Sequence, residues 1–292
     1  MRLARQEIVI LLIAMAIAPA VLIGRLWSAK GSLHGQERAE PFRIAGNFYF
    51  VGANDVSAFL ITGPAGHVLL DAGYPTTAPM IMASIAELGF DIRDVKVLLN
   101  SSPRPDQAGG LPTLQRASGG EVWASDASAD VLASGGDDPD MAVPIRTLFR
   151  LGIGGYPPVR VDHRVSDGGT IRVGPITLTA HVTAGATRGC TSWTFPIRAA
   201  DRTLNAVSVC DLDVTMGMRY REQADDLGRS FAVLRGLPVD IWVASHGRAW
   251  GRYRKFAARA GAPNPVDPFI DRDGYRAFID DAEAALRLGR VH

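Results

Sequence analysis

The chain has 292 residues, of which 21% are charged, with a formal net charge of +1, 31 glycines and 18 prolines. That balance lacks the basic stripe that nucleic-acid binding needs, and the length suits one large domain or two small ones. A hydrophobic content of 47% can fill a sizeable core, and the glycine and proline content suggests many turns, as in a sheet-rich fold.

The N-terminus reads separately from the rest. Arg2 and Arg5 precede an uncharged apolar run, Ile8–Gly24. The run is longer than the roughly 7–15 residues usual in a signal peptide and sits at the lower limit of a membrane span, about 17–25. Small-residue sites such as AMA and APA lie inside it, so a cleaved signal and a retained anchor both stay open. Residues 1–28 are therefore assigned to an export segment, 29–40 to a linker and 41–292 to the folded body. In either case the body lies outside the cytoplasm, periplasmic or otherwise exported, soluble or tethered to the inner membrane by that segment alone.

Short β-like runs follow in FRIAGNFYFVG, VSAFLITG and GHVLLDAG. The first helical pattern is TAPMIMASIAELG, with Met80, Ile81, Ile85 and Leu88 on one face. VKVLLN reads as a buried strand, LPTLQRAS as a helix, EVWAS as a strand and ASADVLAS as a helix. A Gly-, Asp- and Pro-rich loop covers about 135–158. VRVDHRV, TIRVG and ITLTAHVT are strands, and a hairpin turns at about Ala199-Ala200-Asp201. QADDLGRSFAVLRGL reads as a helix, DIWVAS as a strand and GYRAFIDDAEAALRLG as a C-terminal helix. Two halves that each carry a sheet and outer helices predict two sheets packed face to face.

Cys190 and Cys210 flank the hairpin. A turn centred on Ala200 sets them opposite each other, and an exported protein permits a disulfide. The alternative is a pair of buried thiols packed as small apolar residues. A one-residue slip of register is expected to break the pairing.

Taken in order, PFRIAGNFYFVG, GHVLLDAGYP, DQAGG, LQRASG, TAHVTAG, TSWTF, RSFAVLRGLPVDIWVASH and NPVDP resemble the metallo-β-lactamase superfamily, most closely the class B β-lactamases of subclass B3. The resemblance spans about Pro41 to Leu286 and implies an αββα sandwich with a site at the sheet edges, where a pair of zinc ions is held. It also implies a first metal motif of H-x-H-x-D-H. Here Ser102, Arg104 and Gln107 stand at the three His positions, and Asp106 remains. Ala186 stands where a later ligand His belongs, and His246 is in place after the DIWVAS strand. Of six expected ligands, two remain.

Zinc takes imidazole, thiolate or carboxylate donors, usually four. Ser102 is a weak neutral donor, Ala186 has none, and the Arg104 guanidinium has no lone pair to give. The dinuclear site therefore reads as dismantled. Asp211, in VSVCDLDV, could join Asp106 and His246 with help from Gln107, or else be a hairpin-end residue bonded to backbone. Arg104 is expected either to pair with Asp106 or Asp211 in place of a lost ion or to face solvent; in a single-metal hydrolase it is expected to bind an anionic group. Ser101 and Ser102 have neither a visible base nor a nucleophile-elbow pattern. His181, His67 and His163 read as packed or surface residues, His34 and His292 as linker and tail, and Asp71 as a carboxylate holding loop backbone.

Two functions compete. One is an exported metallo-β-lactamase-fold protein of subclass B3 type, a pseudoenzyme without zinc-dependent hydrolysis and without a cofactor. The other is a hydrolase using one divalent metal (zinc, manganese or iron) and a metal-bound water at Asp106, Asp211 and His246. A monomer with a small-molecule ligand and no nucleic-acid partner is expected under both.

Overall fold

The computed structural model describes residues 35–199, 202–213 and 217–289. The expected export segment, His34, His292 and most of the expected linker lie outside them. Residues 35–40, also assigned to the linker, instead fold onto the body. Arg38 bridges Ala53, Asn54 N–H donates to the Glu37 carbonyl at 2.8 Å, and Ala39 is buried.

The first sheet has seven strands in sequence order: β1 (Phe42–Ala45), β2 (Phe48–Phe50), β3 (Phe59–Ile61), β4 (His67–Leu70), β5 (Val95–Leu99), β6 (Glu121–Ser125) and β7 (His163–Val165). β1 to β4 are antiparallel, and β4 to β7 run parallel. Gly46, at φ 50°, turns the chain between β1 and β2. The second sheet has five strands in the order β12-β11-β10-β9-β8: β8 (Thr170–Val173), β9 (Ile176–Val182), β10 (Thr191–Ala199), β11 (Arg202–Val209) and β12 (Ile241–Ala244).

Alternation along the strands sorts side chains into layers. Val68, Leu70, Val97 and Leu99 face the second sheet and join Leu178, Trp193, Phe195 and Ile197 in the inter-sheet core. Their neighbours Leu69 and Leu98 point the other way, onto α1 (Ala78–Glu87) and α3 (Leu111–Ser118), through Ile81, Ile85, Leu111 and Leu114. The second sheet is covered on its far side by α6 (Gln223–Gly236) and α8 (Arg272–Arg287), through Phe231, Leu234, Tyr275 and Ile279. The layers run helix, sheet, sheet, helix, as the sequence suggests.

Between these lie α2 (Pro105–Ala108), α4 (Asp126–Ala133), α5 (Val143–Arg150) and α7 (Arg252–Ala258). The sequence reading has 135–158 as loop throughout and leaves α7 out. α5 buries none of its residues, and its short apolar stripe of Ile145, Leu148 and Phe149 is set among turn residues. Three prolines or glycines also lie close to its ends (Pro139, Pro144 and Gly152).

The cysteine hairpin differs in register from the expectation. Ala199 pairs with Arg202 and Trp193 with Ser208, so the strands are offset by one residue from a turn centred on Ala200. Cys190 and Cys210 nevertheless form a disulfide, with Cα atoms 5.8 Å apart, inside the usual span for such a bond. Both cysteines sit one residue beyond the ends of β10 and β11. There the ladder no longer dictates which way a side chain points, so the slip does not break the pair.

Candidate metal centre

β9, β11 and β12 run in the same direction within their sheet, as β4 and β5 do in theirs. The loops leaving their C-terminal ends therefore meet along one edge. Asp71 follows β4, residues 100–107 follow β5, Ala186 follows β9, Asp211 follows β11 and His246 follows β12.

The loop from Asn100 to Arg104 is held at three successive carbonyls. The Ser101 carbonyl accepts from Thr191 N–H at 2.8 Å, Ser102 from the Asn100 side-chain amide at 2.7 Å, and Pro103 from the Tyr156 hydroxyl. Ser101 N–H donates to Asp71 Oδ1 at 2.7 Å. Asp71 therefore holds backbone, as expected, and takes a left-handed φ of 61° to do so. Burial, partly offset by that bond, pushes its carboxyl up to about 7.

Arg104, between two prolines, turns into the cleft. Its Nε is 3.4 Å from Asp106 Oδ1, and its Nη1 is 3.5 Å from Asp211 Oδ2. It spans both carboxylates. Burial works against its charge, but Asp106 and Asp211 outweigh burial and hold it protonated. Asp106 is 3% exposed. Burial would raise its pKa, yet Arg104 and His246 together bring it below the usual carboxylate range.

Gln107 donates from Nε2 to Asp211 Oδ2 at 2.8 Å, and its Oε1 is buried without a partner. Its amide nitrogen, not its oxygen, thus faces the acidic cluster. As placed, Gln107 serves Asp211 and offers no lone pair to an ion. Among the described residues the Asp211 carboxylate accordingly meets the side chains of Gln107 and Arg104 and accepts no backbone hydrogen bond.

His246 Nε2 lies 3.3 Å from Asp106 Oδ2. Burial lowers its pKa, but Asp106 and Asp55 more than compensate and raise it to about 10. One ligand atom each from Asp106, Asp211 and His246 lie within 4.8 Å of one another. The structure therefore brings together Arg104, Asp106, Gln107, Asp211 and His246. Ala186 is fully buried and packs on the Cys190–Cys210 disulfide. Ser102 is also fully buried, with its hydroxyl 3.5 Å from that of Thr187. Among the described residues no hydrogen bond joins Ser101 or Ser102 to a histidine.

Three further histidines are structural. His181 bonds Thr194 at 2.9 Å, His163 stacks on Trp123, and His67 packs edge-on to Phe90. The sequence reading does not single out Asp55 or Arg248, which surround the far side of His246. Asp55 follows an apolar strand in VGANDVS, a polar strand-end loop of the kind already noted at Asp71.

The donor chemistry decides which ions fit. A pair of zinc ions does not. The 102, 104 and 186 positions present a hydroxyl, a guanidinium and a methyl group, and the guanidinium already spans the two carboxylates. A single ion has three suitable donor atoms at Asp106, Asp211 and His246, short of the usual four.

Strands that deliver acids and an imidazole to one shared edge build the centre of a metallohydrolase scaffold. The chain belongs to the metallo-β-lactamase superfamily, whose family model matches residues 51–199. It is similar to Rm3 metallo-β-lactamase, at 38% identity over 87% of this chain and 94% of that one, with a TM-score of 0.80. It is also similar to MEM-A1, a subclass B3 enzyme from a soil metagenome library, at 33% identity, 87% and 97% coverage and a TM-score of 0.80. A Cronobacter sakazakii metallo-β-lactamase, an S60 mutant described by its HARLDQ motif, matches at 34% identity, 87% and 95% coverage and a TM-score of 0.78.

Proposed function

We propose that this chain keeps the B3-type scaffold but is not a dinuclear zinc β-lactamase. The single observation behind this reading is Arg104, whose guanidinium contacts both Asp106 and Asp211. A fixed cation offsets the charge that divalent ions would otherwise balance. Ser102 and Ala186 then need no ligand role and are packed in the interior. The cleft that remains is charged and hydrogen-bonded, and suits a small polar ligand with an anionic group opposite Arg104. The apolar run Ile8–Gly24 supports export to the periplasm, with the body free or tethered. Among the described residues no helix is long and apolar enough to cross a membrane.

A second reading is favoured by the clustering of Asp106, Asp211 and His246. In that reading these three hold one divalent ion (zinc, manganese or iron). Such an ion supplies Lewis acidity and a water of lowered pKa. The Cronobacter motif gives this reading weight. HARLDQ set against SPRPDQ, residues 102–107, agrees at Arg104, Asp106 and Gln107. Arg and Gln thus occur together in a protein called a metallo-β-lactamase, and at the motif's ligand positions the departure that sets this chain apart is Ser102.

Metal analysis of full-length protein refolded with zinc, manganese or iron tests both readings. Less than one equivalent per chain is expected. One equivalent that disappears in Asp106→Ala supports the second reading, and two retained zinc ions overturn the first.

A further inference from the structure

His246 meets a carboxylate on each side. Asp106 lies at Nε2, and Asp55 Oδ2 lies 3.4 Å from Nδ1. The Asp55 contact is longer than a full hydrogen bond. Nδ1 is nevertheless buried and has no shorter partner, so Asp55 is the group that this edge of the ring faces.

Asp55 is itself held from several directions. Its Oδ1 accepts from Arg248 N–H at 2.9 Å, and its Oδ2 from Arg248 Nη1 at 2.7 Å. Its carbonyl accepts from Gly247 N–H at 2.6 Å, and its own N–H donates to the Gly35 carbonyl at 2.9 Å. The adjoining backbone is stitched to the same segment: Val56 bridges His246, and Ser57 N–H donates to the Ser245 carbonyl at 2.8 Å. Two stretches almost two hundred residues apart are thus locked together around one imidazole.

We propose that Asp55 is a positioning residue for His246: it faces the Nδ1 proton and so fixes the ring orientation in which Nε2 is presented to Asp106 and the cleft. The proposal rests on the reading of Asp106, Asp211 and His246 as the site. An ionised carboxylate only accepts hydrogen bonds, so a bare Nδ1 would set one lone pair against another. The partner of one ring nitrogen fixes the role of the other. Asp55 thereby orients His246 whether Nε2 serves Asp106 or an ion. Among the described residues Asp55 reaches the cleft through His246, and its effect is on the direction of that ring.

Nitrogen-15 NMR of full-length protein labelled in the histidine rings tests this, with the His246 signals identified by their loss in His246→Gln. In the wild type Nδ1 is expected to carry a slowly exchanging proton. Asp55→Asn, which keeps a side-chain oxygen acceptor, is expected to retain that proton. Asp55→Ala is expected to release it to rapid solvent exchange. Arg248→Ala loosens the same loop without removing the carboxylate, and is expected to leave the proton in place. This separates positioning from general loop stability. A bare Nδ1 in the wild type overturns the proposal, even if Asp55→Ala fails to fold. So does an Asp55→Ala ring that matches the wild type. These readouts are independent of zinc stoichiometry, so failure here leaves the reading of the missing zinc pair standing, and the reverse also holds.

Discussion

The two sides of the cleft have been solved by different physics. On the side of Ser102 and Ala186, polar function has given way to packing. Ala186 is fully buried against the Cys190–Cys210 disulfide, and Ser102 is sealed beside Thr187. On the side of Asp106, Asp211 and His246, the charges remain and are balanced by Arg104 and by the imidazole. A buried charge persists only when it is paired. A position emptied of charge can be filled with carbon and sulfur, whereas a position that keeps its carboxylates must acquire a cation. The difference teaches that the two sides of one cleft can be stabilised independently, one by packing and one by charge pairing.

The largest expected effect lies on the packed side. Replacing both cysteines by alanine opens a bridge between residues 20 apart in sequence. Closing a loop of that length stabilises by about 3 kcal/mol in the chain-entropy account. A denaturant midpoint lowered by that amount is expected, with the slope read alongside to detect a changed unfolded state. An unchanged midpoint would show that packing around Ala186, not the covalent bond, holds this side.

How much of this was legible beforehand follows the same division. The αββα layering was readable because strand alternation and helical stripes are local signals, as in Val68-Leu69-Leu70, whose neighbours face opposite cores. The clustering of Arg104, Asp106, Gln107, Asp211 and His246 was readable because each follows a strand whose apolar run is visible in the sequence. The register at Ala199–Arg202 was not, because one residue in a turn leaves no mark on composition. Asp55 was not singled out either. Its partners at 246–248 lie nearly two hundred residues away, and nothing local distinguishes it from an ordinary loop aspartate. The direction of the Gln107 amide likewise depends on Asp211, which only the fold brings within reach.

A smaller effect is expected on the charged side, where it tests the idea that a guanidinium replaces an ion. Arg104→Met leaves Asp106 and Asp211 without their shared cation. Complete burial would make the loss about 3–5 kcal/mol, but Arg104 is 21% exposed, so about 1–2 kcal/mol is more appropriate. Zinc or manganese is expected to restore the melting temperature of this variant and to leave the wild type almost unmoved, because an ion that binds only the folded chain stabilises it by mass action. Equal metal-induced shifts in both proteins would show that Arg104 does not compete for the ion's place.

The pH dependence is a further test, which the charged side alone should carry. Asp71 is raised to about 7 and His246 to about 10. A folded pKa above the unfolded one means that stability is complete below the unfolded value and is lost as pH rises through the folded one. Asp71 therefore withdraws stability between about pH 4 and 7, and His246 between about pH 6.5 and 10. Asp106 has the opposite sign: its pKa is lowered, so its contribution is present above the ordinary carboxylate value and is lost only toward stronger acid. The three together place the stability maximum on the acid side of neutrality. Asp71→Asn, which can still accept from Ser101 N–H, is expected to remove the lower step and to leave the upper one. His246→Gln is expected to do the reverse, each step being on the order of 1 kcal/mol for every tenfold change in proton affinity on folding. Chemical denaturation repeated across this range would resolve the two steps. A profile that Asp71→Asn and His246→Gln alter identically would mean that the acids and the imidazole titrate together. In that event the contrast between the two sides of the cleft would stand, but the separate roles of Asp71 and His246 within the charged side would not.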